Sequence, residues 1–237
     1  MLLHYKNIPY VTEWINFQDV ERVCKQVGAP PTRNKPDGRP LYTIPFITVK
    51  SEVDGSVLAI SDSAKIAAYI ERTFPDPERT LIPNGTEAFH AMFEQYCLEK
   101  LLYPLIPVLV KPFIDTLESP EWYAQTREEV LGKTVERVVA TTGEAADAAW
   151  KQIESGLDNL ALILDANVGV DATPDEEARR KARVMGDRQS YADILLLTIL
   201  FFVIQFSKDE GWKRLKDRNE GRWGRLVDSF REYLPPF

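Results

Sequence analysis

Residues 42–66 read YTIPFITVKSEVDGSVLAISDSAKI, and the fold follows from this stretch. Phe46-Ile47-Thr48-Val49 and Val57-Leu58-Ala59-Ile60 are short runs of strand-forming residues. Glu52-Val53-Asp54-Gly55 between them has turn chemistry, so the two runs are expected to form a hairpin. A helix is expected to begin at Ser61 or Asp62 and to run to Phe74. Ile66, Ala67, Ile70 and Phe74 share one face of it, and Pro75 and Pro77 close it.

Two features of the stretch carry chemistry. Pro45 opens a β-run straight after a loop and cannot donate to a ladder. It is therefore a rigid loop-to-strand joint, an edge residue or a cis-proline turn. A cis bond would leave the N–H and C=O of Ile44 facing outward, ready to pair with an extended peptide ligand. The second feature is the helix start at Ser61-Asp62-Ser63. Its free N–H groups and positive dipole end suit a carboxylate, which the Ser63 hydroxyl would also bind, while Asp62 would take an ammonium group. An ordinary N-cap explains the same residues.

Working outward, Tyr10 to Phe17 alternates and is rich in aromatic and β-branched residues, which predicts a strand. Asp19 to Val27 carries Val20, Val23, Cys24 and Val27 at helical spacing, and Gly28 ends it. Five prolines and Gly38 make Ala29 to Pro45 a loop. Beyond Pro83 helical patterns dominate: Thr86 to Leu102, Glu121 to Val139, Glu144 to Leu164, Thr173 to Met185, Ser190 to Phe206 and Asn219 to Tyr233. Thr173-Pro174-Asp175-Glu176 is a capping box, and Ser190 with Asp193 has the same form ahead of a helix that is apolar nearly all round. That second box reads as a folding element. The division gives an α/β domain over 1–83 and an all-helical domain over 84–237.

Composition narrows the function. The chain has 237 residues and a net charge of −7, with acidic and basic residues interspersed, so no basic field draws it to nucleic acid. Its longest apolar run, Ile194 to Ile204, is too short to span a bilayer. Cys24 and Cys97 form no C-x-x-C pair, which fits a reducing, cytosolic compartment. His4 and His90 are the only histidines, so a histidine-based metal site is not expected.

The order strand, helix, loop, proline, hairpin, serine, helix, followed by a helical domain with a capped core helix, resembles the glutathione transferase family over nearly the whole chain. The flavour of Ile8-Pro9-Tyr10, Gly28-Ala29-Pro30-Pro31 and Lys35-Pro36-Asp37-Gly38 is similar to the fungal branch related to bacterial lignin β-etherases. The resemblance implies a thioredoxin-like N-terminal domain and an all-α C-terminal domain, with glutathione as co-substrate. Ile44 and a cis Pro45 would pair with the cysteinyl backbone of glutathione, and Asp62 and Ser63 would hold its γ-glutamyl end. Phe89, Phe93 and Tyr96, at i, i+4 and i+7, are read as helix packing or as the lining of a hydrophobic substrate pocket. The implied activity is thiol attack on aromatic electrophiles or ethers in a homodimeric protein. A glutathione-dependent binding protein for aromatic molecules is the alternative, and a relative that keeps the fold for protein contacts is a third. The family's first strand, and the residue that faces the glutathione sulfur, have no counterpart in residues 1–237. Met1 to Lys6 would be the tail of the first helix, the thiol-activating residue stays unassigned, and activation is expected to be weak. Cys24 does not replace that residue, because its helical spacing with Val20 and Val27 makes it core.

Overall fold

The computed structural model describes residues 1–131, 134–167 and 172–234. In chain order the first elements are α1 (Leu2–Tyr5), α2 (Val20–Val27), β1 (Arg33–Asn34), β2 (Pro40–Leu41), β3 (Phe46–Lys50), β4 (Val57–Ser61) and α3 (Ser63–Thr73). There follow α4 (Glu87–Cys97), α5 (Tyr103–Ile114), α6 (Pro120–Leu131), α7 (Val135–Val138), α8 (Gly143–Leu164), α9 (Pro174–Ala182), α10 (Tyr191–Phe206), α11 (Lys213–Leu215) and α12 (Arg218–Ser229). They gather into two compact units that do not follow chain order: Tyr10–Pro75 groups with Ile114–Val138, and Met1–Pro9 groups with Asp76–Phe113 and Val139–Phe237.

In the α/β unit, β3 and β4 form the expected antiparallel hairpin, with Phe46 opposite Ser61 and Lys50 opposite Val57. Helix α2 ends where Gly28 takes φ 75°, and the amides of Gly28 and Ala29 close back on the carbonyls of Lys25 and Cys24. Val20, Cys24 and Ala29 make a buried cluster with Ile15, Val27, Tyr42, Phe46 and Ala59 packed on it. Cys24 is core, as its spacing implied.

Two expectations need correction here. The stretch Tyr10 to Phe17 is not a strand: it runs without ladder pairing into a single 3-10 turn at Phe17–Asp19. A strand exists only where its amides and carbonyls find a partner chain. Here Ile15 reaches the α2 cluster, while Val11 and Trp14 are 90% and 94% exposed. The loop over Ala29 to Pro45, in turn, contains a short ladder in which Arg33 faces Leu41 and Asn34 faces Pro40.

The helical unit is built around α10, whose residues from Ile194 to Ile204 are mostly buried as expected. Thr86 to Leu102 is helical only to Cys97; a wide π-turn over Leu98–Leu102 follows and leads into α5, which the sequence reading missed. Pro107 and Pro112 lie inside α5, and the buried stripe Leu101, Leu105, Val108, Leu109 holds it helical despite them. Gly156 lets α8 approach the π-turn, since a Cβ there would lie 2.6 Å from the Lys100 carbonyl oxygen. Expected helix Glu121 to Val139 is α6 and α7, with residues 132–133 outside the described set. Thr173 to Met185 is helical only through Ala182, and its Thr173–Glu176 box is present. Helix α1 does form at the start, with the Tyr5 ring 6.2 Å from Phe230 and 5.4 Å from Tyr233.

The start of α10 is held by one carboxylate. Asp193 is fully buried and accepts from Ser190 N at 2.8 Å, Ser190 Oγ at 2.8 Å and Val184 N at 2.7 Å. Burial pushes its carboxyl up to about 6, against three donors that favour the anion. Asp193→Ala strands buried amides at Ser190 and Val184, so it should lower stability by about 3–5 kcal/mol in urea unfolding. The folded carboxyl binds its proton more tightly than an unfolded one near 3.9, so this group's contribution is full below about pH 4. It declines as pH rises through about 6, and the margin of wild type over Asp193→Asn should narrow over that window.

Candidate functional site

The β3–β4 register builds the site. Because Phe46 pairs with Ser61, the residues just before β3 and just after β4 emerge side by side at the open end of the hairpin. Ile44 and Pro45 stand on one side, Asp62 and Ser63 on the other. The Ile44–Pro45 peptide bond is cis. Ile44 is 42% exposed, and among the described residues neither its N–H nor its C=O is hydrogen-bonded. A peptide-like ligand laid along it meets one free donor and one free acceptor, which is the minimal unit of strand addition.

Asp62 takes φ 82°, in the left-handed region that disfavours non-glycine residues. This sharp turn ends β4 and swings the Asp62 side chain over the start of α3. Its Oδ1 accepts from Ala64 N at 3.0 Å and Lys65 N at 3.1 Å, so Asp62 is the N-cap. Half of the carboxylate is thereby engaged, and Oδ2 remains for an ammonium donor. Ser63 is exposed, and its hydroxyl has no partner among the described residues. Asp62 thus caps the helix, as the N-cap reading has it, and Ser63 beside it is exposed.

One element of this unit was not legible in the sequence. Glu129 on α6 accepts from Lys35 Nζ and Arg39 Nη2, each at 3.0 Å, and so ties α6 to the loop that leads to Pro45. The two cations lower the Glu129 carboxyl below the usual range. Partners 90 and 94 residues apart leave no local pattern to read.

The aromatic residues lie on α4, in the helical unit. The rings of Phe89 and Phe93 stack at 6.2 Å, and those of Phe93 and Tyr96 at 6.5 Å. Phe89 is 37% exposed, whereas Phe93 is buried. The Tyr96 hydroxyl donates to the Gly156 carbonyl at 2.7 Å and burial raises its pKa, so it serves the α4–α8 contact. Phe89 is the member of the set that presents its ring outward.

Three groups that could act on a thiol are buried. Cys24 and Cys97 are both buried; burial raises both thiols, Cys97 to about 12. Tyr5, near the chain start, donates to the Gln189 carbonyl at 3.4 Å and is pushed up to about 12, chiefly by burial. Among the described residues, no group of three or more His, Cys, Asp or Glu is placed to hold a metal ion.

Comparisons with known proteins bear on this geometry. A family model described as "Glutathione S-transferase, N-terminal domain" matches residues 1–73, and one described as "Glutathione S-transferase, C-terminal domain" matches residues 88–233. The glutathione S-transferase-like protein ustS of Aspergillus flavus is 27% identical over 243 residues, covering 99% of this chain and 82% of that protein. The crystal structure of glutathione transferase GSTFuA3 from Phanerochaete chrysosporium superposes with a TM-score of 0.83 at 33% identity, over 100% of this chain and 88% of that one. A glutathione S-transferase of Ceriporiopsis subvermispora, solved in complex with glutathione, gives 0.83 at 33% identity, over 99% and 89% of the two chains. The thioredoxin-like α/β part followed by an all-α part is therefore the architecture of this chain.

The Asp62 cap has a measurable consequence. Asp62→Ala removes the cap and should cost about 1 kcal/mol in urea unfolding, whereas Asp62→Asn, which keeps an acceptor at the same place, should stay within a few tenths of wild type.

Proposed function

This chain belongs to the glutathione S-transferase family, and on that premise we propose that it holds glutathione at the open end of the β3–β4 hairpin and directs the thiol at aromatic molecules. The cysteinyl backbone pairs with Ile44, and Pro45 fixes the direction of that pairing. The γ-glutamyl carboxylate meets the hydroxyl and amide of Ser63, while its ammonium group meets Asp62 Oδ2. The observation that carries this reading is the register that sets the cis Ile44–Pro45 bond beside Asp62 and Ser63. Glutathione is the co-substrate.

The chemistry proposed is substitution at carbon. The glutathione sulfur forms a bond to the electrophilic carbon as the bond to the leaving group breaks, and the leaving group departs with the electron pair. With an aryl ether as substrate, the leaving group is a phenolate and the product a thioether. Within the helical unit, the exposed ring of Phe89, backed by Phe93 and Tyr96, is of the kind that takes an aromatic ligand, and this supports an aromatic acceptor. Burial holds Cys24, Cys97 and Tyr5 protonated, so none of these three serves as the thiol activator in this reading. A free thiol near 8.5 is only a few per cent ionised at neutral pH, so weak turnover is expected.

The burial of Cys24, Cys97 and Tyr5 favours a second reading, in which the protein binds glutathione and aromatic ligands without turning them over. A chromogenic electrophile assay separates the two, since retention on immobilised glutathione without product formation selects the second. A homodimer accompanies either reading, supported by apolar side chains left exposed at Leu58 and Phe74 in one unit and Met92 in the other. Buried, reduced cysteines support a cytosolic setting.

The site itself is tested by Ser63→Ala. Calorimetry should show glutathione binding weakened by about 1.5–3 kcal/mol, the worth of a hydrogen bond to a charged group. Unchanged affinity would remove Ser63 from the site.

A further inference from the structure

Within the α/β unit, a pocket of about 190 Å³ opens between the 3-10 turn at Phe17–Asp19 and the start of α6. Both flanks belong to one compact unit, since Tyr10–Pro75 groups with Ile114–Val138. A cavity of about 150 Å³ is enough to hold benzene, so a ligand of a few heavy atoms fits. Ile15, Phe17, Leu117 and Trp122 supply apolar walls, and Glu118 is the charged residue of the lining. The other lining residues are polar and uncharged.

Two of these groups are available to a ligand. Trp122 is half-buried, and among the described residues its ring makes no aromatic contact and its Nε1–H no hydrogen bond. Glu118 is exposed, and its carboxylate has neither an ion pair nor a hydrogen bond among the described residues. Phe17 is held in place, its ring meeting that of Tyr123 edge to face at 5.0 Å. Arg127, the cation of α6, lies over the Tyr123 ring at 4.7 Å and is not part of the lining.

The local field favours a positive ligand. Helix α6 starts at Pro120, which has no N–H, and a helix start amounts to about half a positive charge. Against it stand the carboxylates of Glu118 and Glu121, on either side of Pro120, both exposed and neither ion-paired among the described residues. An aromatic face beside an unpaired carboxylate attracts an organic cation. The apolar walls give a metal ion or a primary ammonium nothing to replace its water. A fully methylated ammonium has no N–H to satisfy and presents methyl groups to those walls.

We propose that this pocket binds a small quaternary ammonium ion, its methyl groups against the Trp122 ring, Ile15 and Leu117 and its charge beside Glu118. None of these residues belongs to the set Ile44, Pro45, Asp62 and Ser63.

The test uses the full chain, labelled with ¹⁵N and ¹³C, without glutathione. The Trp122 Nε1–H resonance, assigned through its own side-chain carbons, is followed while choline chloride replaces sodium chloride at constant ionic strength. Two controls each lack one feature: 3,3-dimethylbutan-1-ol has the shape without the charge, and ethanolamine has the charge without the methyl groups. The resonance should shift saturably with choline and respond at least about three-fold more weakly to either control. Glu118→Gln should weaken the choline response about three- to five-fold, the upper end for an exposed charge pair, while Ser63→Ala leaves it unchanged. A resonance that stays in place, a response to either control equal to that of choline, or no effect of Glu118→Gln overturns the proposal.

Discussion

The buried carboxylate of Asp193 is the constraint around which the helical unit is arranged. Helix α10 is apolar on nearly every side, so its first turn cannot turn to water for hydrogen bonds. Asp193 removes that difficulty by accepting from Ser190 twice and from Val184 once. The corner between α9 and α10 is fixed by the same oxygens. The Tyr191 amide then donates to the Leu81 carbonyl at 2.8 Å, which ties the stretch ahead of α4 to the same helix start. Once that start is satisfied, the apolar body of α10 can be enclosed by α4 and α12.

A second carboxylate does the same job under different conditions. Asp62 caps α3, but at a half-exposed position and from a left-handed backbone. One of its oxygens stays open, and Ser63 beside it faces solvent. Two helix starts with closely related sequence signatures therefore diverge in use. Enclosure makes the α10 start a folding element, while exposure leaves the α3 start able to receive the charged end of a ligand.

Burial also decides where reactivity does not lie. Both cysteines and Tyr5 are held in their protonated forms by the interior around them. What the chain contributes is placement: a hairpin register, a cis peptide bond and a helix start meeting at one end of a small sheet.

Local pattern was enough for much of this. Residues 42–66 carry the hairpin, the helix start and the proline within one continuous run, so their relation depends on neighbours in sequence. The capping boxes at Thr173 and Ser190 span three residues each and were legible for the same reason. Sequence failed where an element needs a distant partner. Tyr10 to Phe17 has the alternation of a strand, but alternation supplies no amides to pair with, and the stretch joins no ladder. Helix α5 was not read from the sequence, and its buried leucine and valine stripe holds it helical despite its two prolines. The bridges from Glu129 to Lys35 and Arg39, and from Arg222 to Asp165, join residues from 57 to 94 positions apart. Sequence alone determined the hairpin, the start of α3 and the capping boxes, because turns, caps and periodicity are short-range effects, while it left the isomer of the Ile44–Pro45 bond open. Tertiary structure alone decided which charges are buried and which are left open, because that depends on chain segments that meet only when the protein folds.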